Sequence, residues 1–339
     1  MRIAVDAMGG DRGPELMARA AIGAVDSDSS KLDIILVGDQ EQVSAALRKS
    51  KRNHSSIEVV HASETVGMSE PPASAIRKKK DSSIAVAMRL LKEGKADALV
   101  SAGNTGAVVA GSLVSIGRLH GVSRPAIATF FPTEKRPTVF LDIGANSVCT
   151  PKNLLQFGVM GAVFAQYQLG IQRPRVGLLN IGEERSKGTD MVRAAYGLLE
   201  KSGVNFVGNV EGRDVMAGEA DVVVCDGFVG NVVLKFTESI LSFTSQMVRR
   251  EIKKSALAKV GAFLMKRVFF SFRSRMDYAE YGGAPLLGIN GVVIICHGKS
   301  SVRAVKNAIL MAQRSVSHDI NAHIEERFRG SVNDLANVS

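Results

Sequence analysis

Two stretches of the chain place glycines directly after a strand-like run, a pattern that is typical of anion sites. In the second stretch, the β-branched residues 222–224 are followed by Asp226, Gly227 and Gly230, and an apolar pattern with helical spacing then begins. A strand that leads through a glycine turn into a helix leaves free N–H groups and the positive end of the helix dipole at the strand's carboxyl end. The spacing therefore predicts that a phosphate or another anion binds here.

The first stretch repeats the pattern earlier in the chain. Residues 96–109 align without gaps on residues 220–233, and seven of fourteen positions are identical, both glycines included. The agreement is explained either by internal duplication or by convergence of two strand–turn–helix units. Neither nucleotide fingerprint is present: 103–106 reads GNTG rather than G-x-G-x-x-G, and 182–189 has its lysine before the second glycine, unlike G-x-x-x-x-G-K-[ST]. The sequence thus predicts a phosphate site without requiring a nucleotide.

These turns belong to a chain that alternates strand-like and helix-like segments. The expected strands are residues 3–7, 33–37, 57–61, 125–131, 138–142, 175–180, 205–210, 222–224 and 292–296. The expected helices are residues 14–25, 40–48, 83–92 and 154–169, one from the first glycine turn to residue 117, one from 190, a long tract from 232 to about 276, and one from 300. This alternation predicts an α/β fold with a doubly wound, mostly parallel sheet.

The carboxyl ends of parallel strands share one edge of the sheet, where open α/β folds bind ligands. The strand-end residues expected together at that edge are Asp6, Gly103, Asp142, Asn180, Asp226 and His297.

Composition limits the classes of protein that this chain can represent. Its 339 residues, 45% of them hydrophobic, suffice for one large α/β unit or for two closely packed halves. Three scattered cysteines and a start that reads directly as a strand predict a reducing, cytoplasmic location without a signal peptide. The net charge of +10 favours an acidic partner. With 5% aromatics and no Trp, nucleic acid has only charge in its favour, and we expect none to bind.

Seven ordered motifs extend over nearly the whole chain. They are VDAMGGD at 5–11, SAGNTGA at 101–107, LDIGAN at 141–146, GLLNIGEE with a following KG at 177–188, GNVEGRD at 208–214, DGFVGNVVLK at 226–235 and YGGAPLLG at 281–288. The set resembles the phosphate acyltransferase (PlsX) family of bacterial phospholipid synthesis. The chain departs from that family's pattern at Arg12 and Gly13, where His and Ala are expected, and in the segment that follows His297.

The resemblance implies one catalytic unit over residues 1–339, with a fold similar to isocitrate and isopropylmalate dehydrogenases and to phosphotransacetylase. It implies transfer of an acyl group from acyl carrier protein to inorganic phosphate, which yields acyl phosphate for a membrane glycerol-3-phosphate acyltransferase. It also implies a homodimer. The resemblance supports Lys187 and Asn231 as site residues.

Attack of phosphate on a thioester needs a cradle for the dianion, a donor to the carbonyl oxygen as it becomes anionic, and an exit for the thiolate. Because a thiol has a pKa of about 8.5, the thiolate leaves without a strong general acid. Positioning and electrostatic stabilisation therefore suffice, and no cofactor or covalent intermediate is required. Lys187 and the N–H groups of the turns are the natural donors, and His297 can bind a carbonyl or a phosphate oxygen.

Each catalytic candidate has a simpler structural explanation. Lys187 can be a solvated loop lysine, Asn231 can satisfy the start of a helix, and His297 can fix a loop. The predicted substrate-binding residues are Asp6, Gly9, Gly10, Asn104, Thr105, Asp142, Asn146, Asn180, Gly227 and Gly230. Strand-end aspartates can hold Mg²⁺, but these lack a tight spacing, so we expect most of them to fix loops and expect no metal site.

Three other interpretations agree less well with the sequence. Cys296 and His297 cannot form a local dyad because neighbours on a strand point to opposite faces. An NAD-linked, metal-dependent decarboxylating dehydrogenase on the same fold would require nicotinamide and Mg²⁺ or Mn²⁺. A basic scaffold that recruits lipid enzymes to the membrane remains the alternative function, although it does not explain the many polar loops at strand ends.

Residues 240–276 form a basic amphipathic segment, clearest from residue 255 onward. On a helix, Leu257, Val260, Leu264, Val268 and Phe272 share one stripe, and Lys259, Lys266 and Arg273 recur every seven residues on the opposite side. This pattern predicts peripheral binding to an anionic membrane surface. A helix in the core or in a dimer interface would show the same apolar stripe.

Overall fold

A central sheet organises the molecule, which a computed structural model describes at residues 1–27, 32–50, 55–269 and 282–336, with only the backbone described at 330–336. The strands are β1 (Arg2–Asp6), β2 (Asp33–Gly38), β3 (Ile57–His61), β4 (Ala98–Ser101), β5 (Ala126–Phe131), β6 (Thr138–Leu141), β7 (Arg175–Leu179), β8 (Asn205–Val210), β9 (Val222–Val224), β10 (Ala284–Leu287) and β11 (Val292–Ile295). Within the described ranges they form one sheet in the order β3-β2-β1-β4-β11-β10-β5-β6-β9-β7-β8.

Helices cover both faces of the sheet. They are α1 (Gly13–Val25), α2 (Gln40–Arg48), α3 (Pro72–Lys78), α4 (Ser83–Lys92), α5 (Thr105–Gly111), α6 (Pro151–Leu169), α7 (Asp190–Glu200), α8 (Gly212–Ala217), α9 (Gly227–Lys254), α10 (Ala256–Leu264), α11 (Val302–Ser317) and α12 (Ile320–Ala336). A π-helical turn, Ser112–Ile116, continues α5. The expected mixed α/β architecture with a large, mostly parallel sheet is confirmed.

The sheet reverses direction at its centre, which overturns the expectation that all six strand-end residues meet at one edge. Strands β1, β2, β3, β4 and β11 are mutually parallel. Antiparallel pairings then link β11 to β10, β10 to β5, and β5 to β6. Three reversals leave β6, β7, β8 and β9 running opposite to β1. The carboxyl ends of the two halves therefore point to opposite edges.

Strand β10 produces this reversal and was not expected from the sequence. It has only four residues, one of them proline, and its first two residues pair with β11 while its last two pair with β5. The proline within it and the glycines on either side suggest a loop, because neither residue type favours a strand interior. Its position between the two halves of the sheet, rather than its own residues, makes it a strand.

Two hydrophobic layers flank the sheet. On one face α4 and α5 pack on β1, β2, β4 and β11 through residues such as Ile84, Met88 and Leu99. On the other face α1, α6 and α11 pack through residues such as Phe157 and Phe164. The central strands are buried on both faces, as their apolar, β-branched composition predicts, whereas the edge strands β3 and β8 are partly exposed.

The long helical tract after β9 is not one helix. Helix α9 ends at Lys254, Ser255 takes an extended conformation with φ −130° and ψ 135°, and α10 begins at Ala256 with the Ser255 side chain as its cap. The sequence pattern continued across this break because a capping serine is also a tolerated helix residue. The predicted stripe residue Phe272, Arg273 and the end of the tract lie outside the described residues.

The final helix predicted from residue 300 also divides. Helix α11 ends at Ser317, and α12 starts at Ile320 after Asp319 adopts a positive φ of 46°. None of the helices in the described part of the chain is long and apolar enough to cross a membrane.

Candidate active site

A cavity of about 610 Å³ lies on one face of the sheet. Its floor is formed by β5, β10 and β11, and α5 and the first turns of α9 form its walls. The loop after β6 and the start of α11 complete the lining. The cavity therefore joins the two halves of the sheet above the point where strand direction reverses.

Three of the residues predicted from the sequence line this cavity: Thr105, Asn231 and His297. Thr105 is the first residue of α5, and Asn231 lies in the second turn of α9. Within the described ranges, neither the Thr105 hydroxyl nor the Asn231 amide forms a hydrogen bond with another residue of the protein. Both groups are thus free to bind a ligand.

His297 follows β11 and is exposed. Its Nδ1 accepts a hydrogen bond of 3.1 Å from the backbone N–H of Lys299. A neutral imidazole with Nδ1 as acceptor carries its proton on Nε2, which can then donate to a carbonyl or phosphate oxygen.

Cys296 precedes this histidine and belongs to the hydrophobic core. Its side chain is 2% exposed, and burial raises the pKa of its thiol to about 12. Because the thiolate is the reactive form of cysteine, this thiol is unsuited to nucleophilic catalysis.

Parallel pairing brings several polar groups to one end of the cavity. Strands β4 and β11 are neighbours, with Ser101 opposite Ile295. The segments that follow them, which contain Thr105 and His297 with Ser300, therefore leave the sheet at the same edge. The loop after β6 leaves from the opposite edge, so that Asn231, which packs against Gly144, comes from the other half of the molecule.

Asp142 and Asn146 lie beneath the cavity rather than in its lining. Asp142 Oδ1 accepts hydrogen bonds from the backbone N–H groups of Ile127, Gly144 and Ala145 at 3.0–3.1 Å. Its Oδ2 accepts from the backbone and side-chain nitrogens of Asn146 at 2.7 and 2.9 Å. Burial is the largest influence on this carboxyl and raises its pKa. The pair holds the loop that presents Gly144 to the cavity.

Asp6, the last residue of β1, has a similar role at the end of that strand. It is fully buried, and its carboxylate accepts from the backbone of Met8 and Gly9 at 3.1 Å and from the Ser101 hydroxyl at 2.7 Å. Burial raises its pKa despite these donors. Asp6 therefore ties the end of β1 to β4.

The adjacent glycines allow two loops to approach each other closely. A Cβ on Gly9 would lie 2.6 Å from the Gly103 nitrogen, and one on Gly10 would lie 2.9 Å from the Gly298 carbonyl oxygen. Gly10 also has a positive φ of 82°. Next to them, Arg12 precedes α1 and forms no side-chain cap, so its departure from the family pattern has no structural explanation.

Asn104 links α5 to the preceding loop. Its amide nitrogen donates to the carbonyls of Gly67, Met68 and Glu70 at 3.1–3.3 Å. Its Oδ1 accepts from the backbone N–H of Ala107 at 3.0 Å and caps the helix. Asn104 thereby positions Thr105 at the cavity.

Gly227 and Gly230 do not form the expected turn before a helix. Helix α9 begins at Gly227, with Asp226 as its cap, and neither glycine has a positive φ. A Cβ on Gly227 would lie 2.6 Å from the Asn146 carbonyl oxygen, and one on Gly230 only 1.9 Å from the Asp142 carbonyl oxygen. The glycines are needed because the helix packs directly against the loop after β6.

Asn180 and Lys187 lie in a separate loop after β7, and neither is part of the cavity lining. Asn180 accepts from the backbone N–H of Ile181 at 2.8 Å and donates to the Lys187 carbonyl at 3.2 Å, which fixes the loop. The Lys187 ammonium lies 3.8 Å from a Glu184 carboxylate oxygen, and about half of its side chain is exposed. The structure therefore does not bring Lys187 together with Asn231 and His297.

The aspartates at the strand ends do not gather around a common centre. In the described part of the chain, no group of three or more His, Cys, Asp or Glu side chains is placed to hold a metal ion.

Comparison with known proteins identifies the family. The profile of a family described as "Fatty acid synthesis protein" matches residues 1–323. A phosphate acyltransferase from Heliobacterium modesticaldum is 51% identical over 98% of this chain and 99% of its own length. Another from Pelotomaculum thermopropionicum is 52% identical over 96% and 95%. The chain belongs to the phosphate acyltransferase family.

Solved structures support the fold of this phosphate acyltransferase family member. A phosphotransacetylase from Streptococcus pyogenes superposes with a TM-score of 0.64 and 20% identity, over 94% of each chain. A branched-chain phosphotransacylase from Enterococcus faecalis superposes with a TM-score of 0.59 and 16% identity, over 93% of this chain and 99% of its own. At this identity the likeness extends to the fold alone.

The family member's cavity also contains groups that the sequence analysis did not single out. Lys235 and Glu238 follow Asn231 on the inner face of α9, and Ser300 lies beside His297. The spacing of four and seven residues from Asn231 was a usable signal, because such positions share one face of a helix. The aliphatic floor of the cavity could not be recognised in the sequence, since its residues come from strands that are distant in sequence.

Proposed function

We propose that this chain transfers an acyl group from acyl carrier protein to inorganic phosphate, producing acyl phosphate and free carrier protein. Membership of the phosphate acyltransferase family over nearly the whole chain is the observation that carries acyl transfer to phosphate. The cavity supports it, because aliphatic walls beside a few convergent polar groups suit a lipophilic chain with a reacting carbonyl.

The reaction is a single displacement that needs only this chain and its two substrates. A phosphate oxygen attacks the thioester carbonyl carbon, and the carbonyl oxygen becomes anionic as the new C–O bond forms. The C–S bond then breaks, and the thiolate takes a proton from solvent. Donors placed around the developing anion stabilise it most effectively in a site that excludes water.

Asn231 and His297 are the proposed donors. The Asn231 amide has no other partner among the described residues, and His297 Nε2 carries a proton, so both can bind the carbonyl or phosphate oxygens. Thr105 adds a hydroxyl at the same cavity. Lys187 is a further proposed donor, and its role requires that the loop after β7 approach the cavity when substrate is bound.

The remaining predicted site residues act by positioning in this proposal. Four of them form hydrogen bonds to loop backbone: Asp6, Asn104, Asp142 and Asn146. Asn180 does the same in the loop that bears Lys187. Gly9, Gly10, Gly227 and Gly230 permit the close packing of those loops. Substrate recognition then depends on the backbone that these residues hold.

The outer face of α9 supports a homodimer. We define the α9 stripe as Phe228, Val232, Phe236, Ile240, Phe243 and Met247, all at least 45% exposed in the single chain. A monomeric soluble protein rarely exposes so large a contiguous apolar patch. A second copy that packs against this stripe would bury it.

Helix α10 supports peripheral binding to an anionic membrane surface. Leu257, Phe263 and Leu264 are 74–81% exposed, which excludes the core interpretation for this part of the predicted segment. Residues 249–267 contain seven Lys or Arg and one Glu. Exposed apolar side chains flanked by cations suit a helix that lies in a lipid headgroup layer. A cytoplasmic enzyme docked in this way would release acyl phosphate next to a membrane glycerol-3-phosphate acyltransferase.

The deciding experiment incubates the purified protein with acyl carrier protein thioester and phosphate, without nucleotide or added metal. We expect phosphate-dependent loss of thioester and appearance of acyl phosphate. Absence of turnover alongside vesicle binding would favour the non-enzymatic scaffold. Nicotinamide reduction that requires Mg²⁺ or Mn²⁺ would favour a dehydrogenase on the isocitrate dehydrogenase-like fold that we propose for this chain.

A further inference from the structure

The cavity has a polar end and an apolar wall that runs away from it. Thr105, His297 and Ser300 lie at the edge where β4 and β11 end. From there α5 presents Gly106, Val109, Ala110 and Leu113 to the cavity. These positions follow a helical period, so they form one continuous ledge on the inner face of the helix and its π-helical extension.

The ledge is long relative to a small substrate. Thr105 and Leu113 are eight residues apart, which corresponds to about 12 Å along a helix. Ile127, Ile295 and Leu234 add further aliphatic side chains to the lining, beside the polar side chains of Lys235 and Glu238. An aliphatic chain longer than a few carbons would fill this space, whereas inorganic phosphate needs only the polar end.

Ala110 is the small residue of the ledge, and Leu113 lies about one helical turn beyond it. Both residues are partly buried and line the cavity, and Leu113 also packs against the hydrophobic core on this face of the sheet. An added ring at residue 110 would close the cavity nearer to Thr105 than the same ring at residue 113.

We propose that the ledge holds the acyl chain of the donor with its carbonyl at the Thr105 end, and that Ala110 and Leu113 set the longest chain that the cavity accepts. This inference rests on the proposed acyl transfer to phosphate and adds the chain's location, direction and length limit. A methylene accommodated or refused in a pocket changes kcat/KM by roughly 10–200-fold, so a ring in the chain's path will discriminate strongly between long and short donors.

The test compares Ala110→Phe and Leu113→Phe with Val114→Phe. Val114 is the next residue, is 80% exposed and does not line the cavity, so its variant is a matched control for adding a ring to this helix. Butanoyl, octanoyl and hexadecanoyl thioesters of acyl carrier protein are assayed with phosphate. We expect the control to match the wild type for every donor. Ala110→Phe should keep butanoyl transfer and lose about 100-fold in kcat/KM for both longer donors. Leu113→Phe should lose hexadecanoyl transfer and keep octanoyl transfer.

A second measurement reports chain binding without turnover. The fluorescent fatty acid cis-parinaric acid is titrated into each protein and displaced with hexadecanoate. Binding should be retained in the wild type and in Val114→Phe and lost in Ala110→Phe, with thermal melts showing that each variant folds. If Ala110→Phe does not fold, Ala110→Leu takes its place with a smaller shift in the same direction.

Distinct outcomes separate the possible failures. A wild type that binds cis-parinaric acid but makes no acyl phosphate from any donor overturns the proposed function and leaves the chain site standing. Equal losses for all donors, or no change in either variant, overturn the chain site. If Ala110→Phe accepts longer acyl chains than Leu113→Phe does, the proposed direction of the acyl chain in the cavity is wrong.

Discussion

Asn231 and Asp142 show how differently the polar residues of this molecule are used. The Asp142 carboxylate is surrounded by backbone and amide donors, while the Asn231 amide faces the cavity with no partner among the described residues. A polar group whose hydrogen bonds are all made within the protein stabilises the fold, whereas a group without a protein partner is available to bind a substrate. The same distinction separates Asp6 from His297.

We expect Asn231→Ala to lower kcat by about 10²-fold while thermal stability stays near that of the wild type, because loss of one preorganised donor to a developing anion has this size. Asn205→Ala is the control, since the Asn205 amide donates a hydrogen bond to the Arg173 carbonyl and does not line the cavity. Steady-state kinetics and a thermal melt check both variants. Equal activity in the two would leave Asn231 without a catalytic role.

Lys187→Ala is expected to lower the rate by at least ~10²-fold with the fold intact, for the same physical reason. Lys201→Ala removes another exposed lysine, at the end of α7, and should change nothing. Lys187 lies outside the cavity lining, so a loss of activity in Lys187→Ala but not in Lys201→Ala would indicate that the loop after β7 approaches the cavity during the reaction. Near-normal turnover in Lys187→Ala would indicate that Lys187 is a solvated loop lysine without a catalytic role.

The cysteines give a prediction that depends on pKa. Burial raises the pKa of Cys296 to about 12 and that of Cys149 to about 11, and it also raises the pKa of the buried Cys225. A raised thiol pKa lowers the thiolate fraction at any pH below it, so at about pH 8 the native thiols should react slowly with iodoacetamide. All three should react quickly after unfolding in denaturant, as followed by mass spectrometry. Cys296→Ala should retain activity.

At the scale of elements, the contact between α9 and the loop after β6 decides where Asn231 lies. Gly230 has no room for a methyl group, whereas a Cβ on Gly197 in α7 would meet nothing within 4 Å. Both glycines are in helices, so the intrinsic helical preference for alanine is the same at the two positions. Any difference between their alanine variants therefore measures packing.

Gly230→Ala is expected to destabilise the protein by at least about 2 kcal/mol, because overpacking of this severity forces the helix and loop apart. Gly197→Ala should stabilise it by up to about 1 kcal/mol, the usual gain for glycine to alanine within a helix. Denaturant unfolding measures both changes. A Gly230→Ala variant as stable as Gly197→Ala would contradict the close packing described above.

At the scale of the whole molecule, we assign the exposed apolar faces of α9 and α10 to two different partners, a second copy of the chain and a lipid surface. The break at Ser255 makes them separate helices, so the two surfaces can be altered independently. We expect Phe236→Asp/Phe243→Asp, on the α9 stripe, to convert a dimer to a monomer in analytical ultracentrifugation. A wild type that sediments as a monomer would contradict the proposed homodimer.

We expect Val260→Asp/Leu264→Asp, on α10, to abolish sedimentation with anionic vesicles while soluble turnover is retained. Wild-type binding should weaken as salt is added, because salt screens attraction between exposed cations and the lipid surface. The α9 variant serves as the reciprocal control. If the α10 variant dissociates the dimer and vesicle binding is unaffected, α10 belongs to the dimer interface.

The sequence by itself determined the types and approximate bounds of most elements. Buried strands such as Val222–Val224 are β-branched runs, and helices such as α6 carry their own capping residues, so these elements are specified by local chemistry. The ordered motifs also sufficed to identify the family. Asn231 and His297, both named as catalytic candidates from the sequence, line the cavity, Asn231 from the second turn of α9 and His297 from just beyond the end of β11.

Only the tertiary structure decided how the two halves meet. The order and direction of strands depend on pairing between residues far apart in the chain, and the four residues of β10 contain no local sign that they reverse the sheet. The same is true of Gly230, where a backbone contact rather than a turn excludes a side chain, and of Lys187, whose loop lies away from the cavity. The cavity between α5 and α9 exists because long-range packing brings opposite strand ends over one floor, and no local pattern in the sequence encodes that distance.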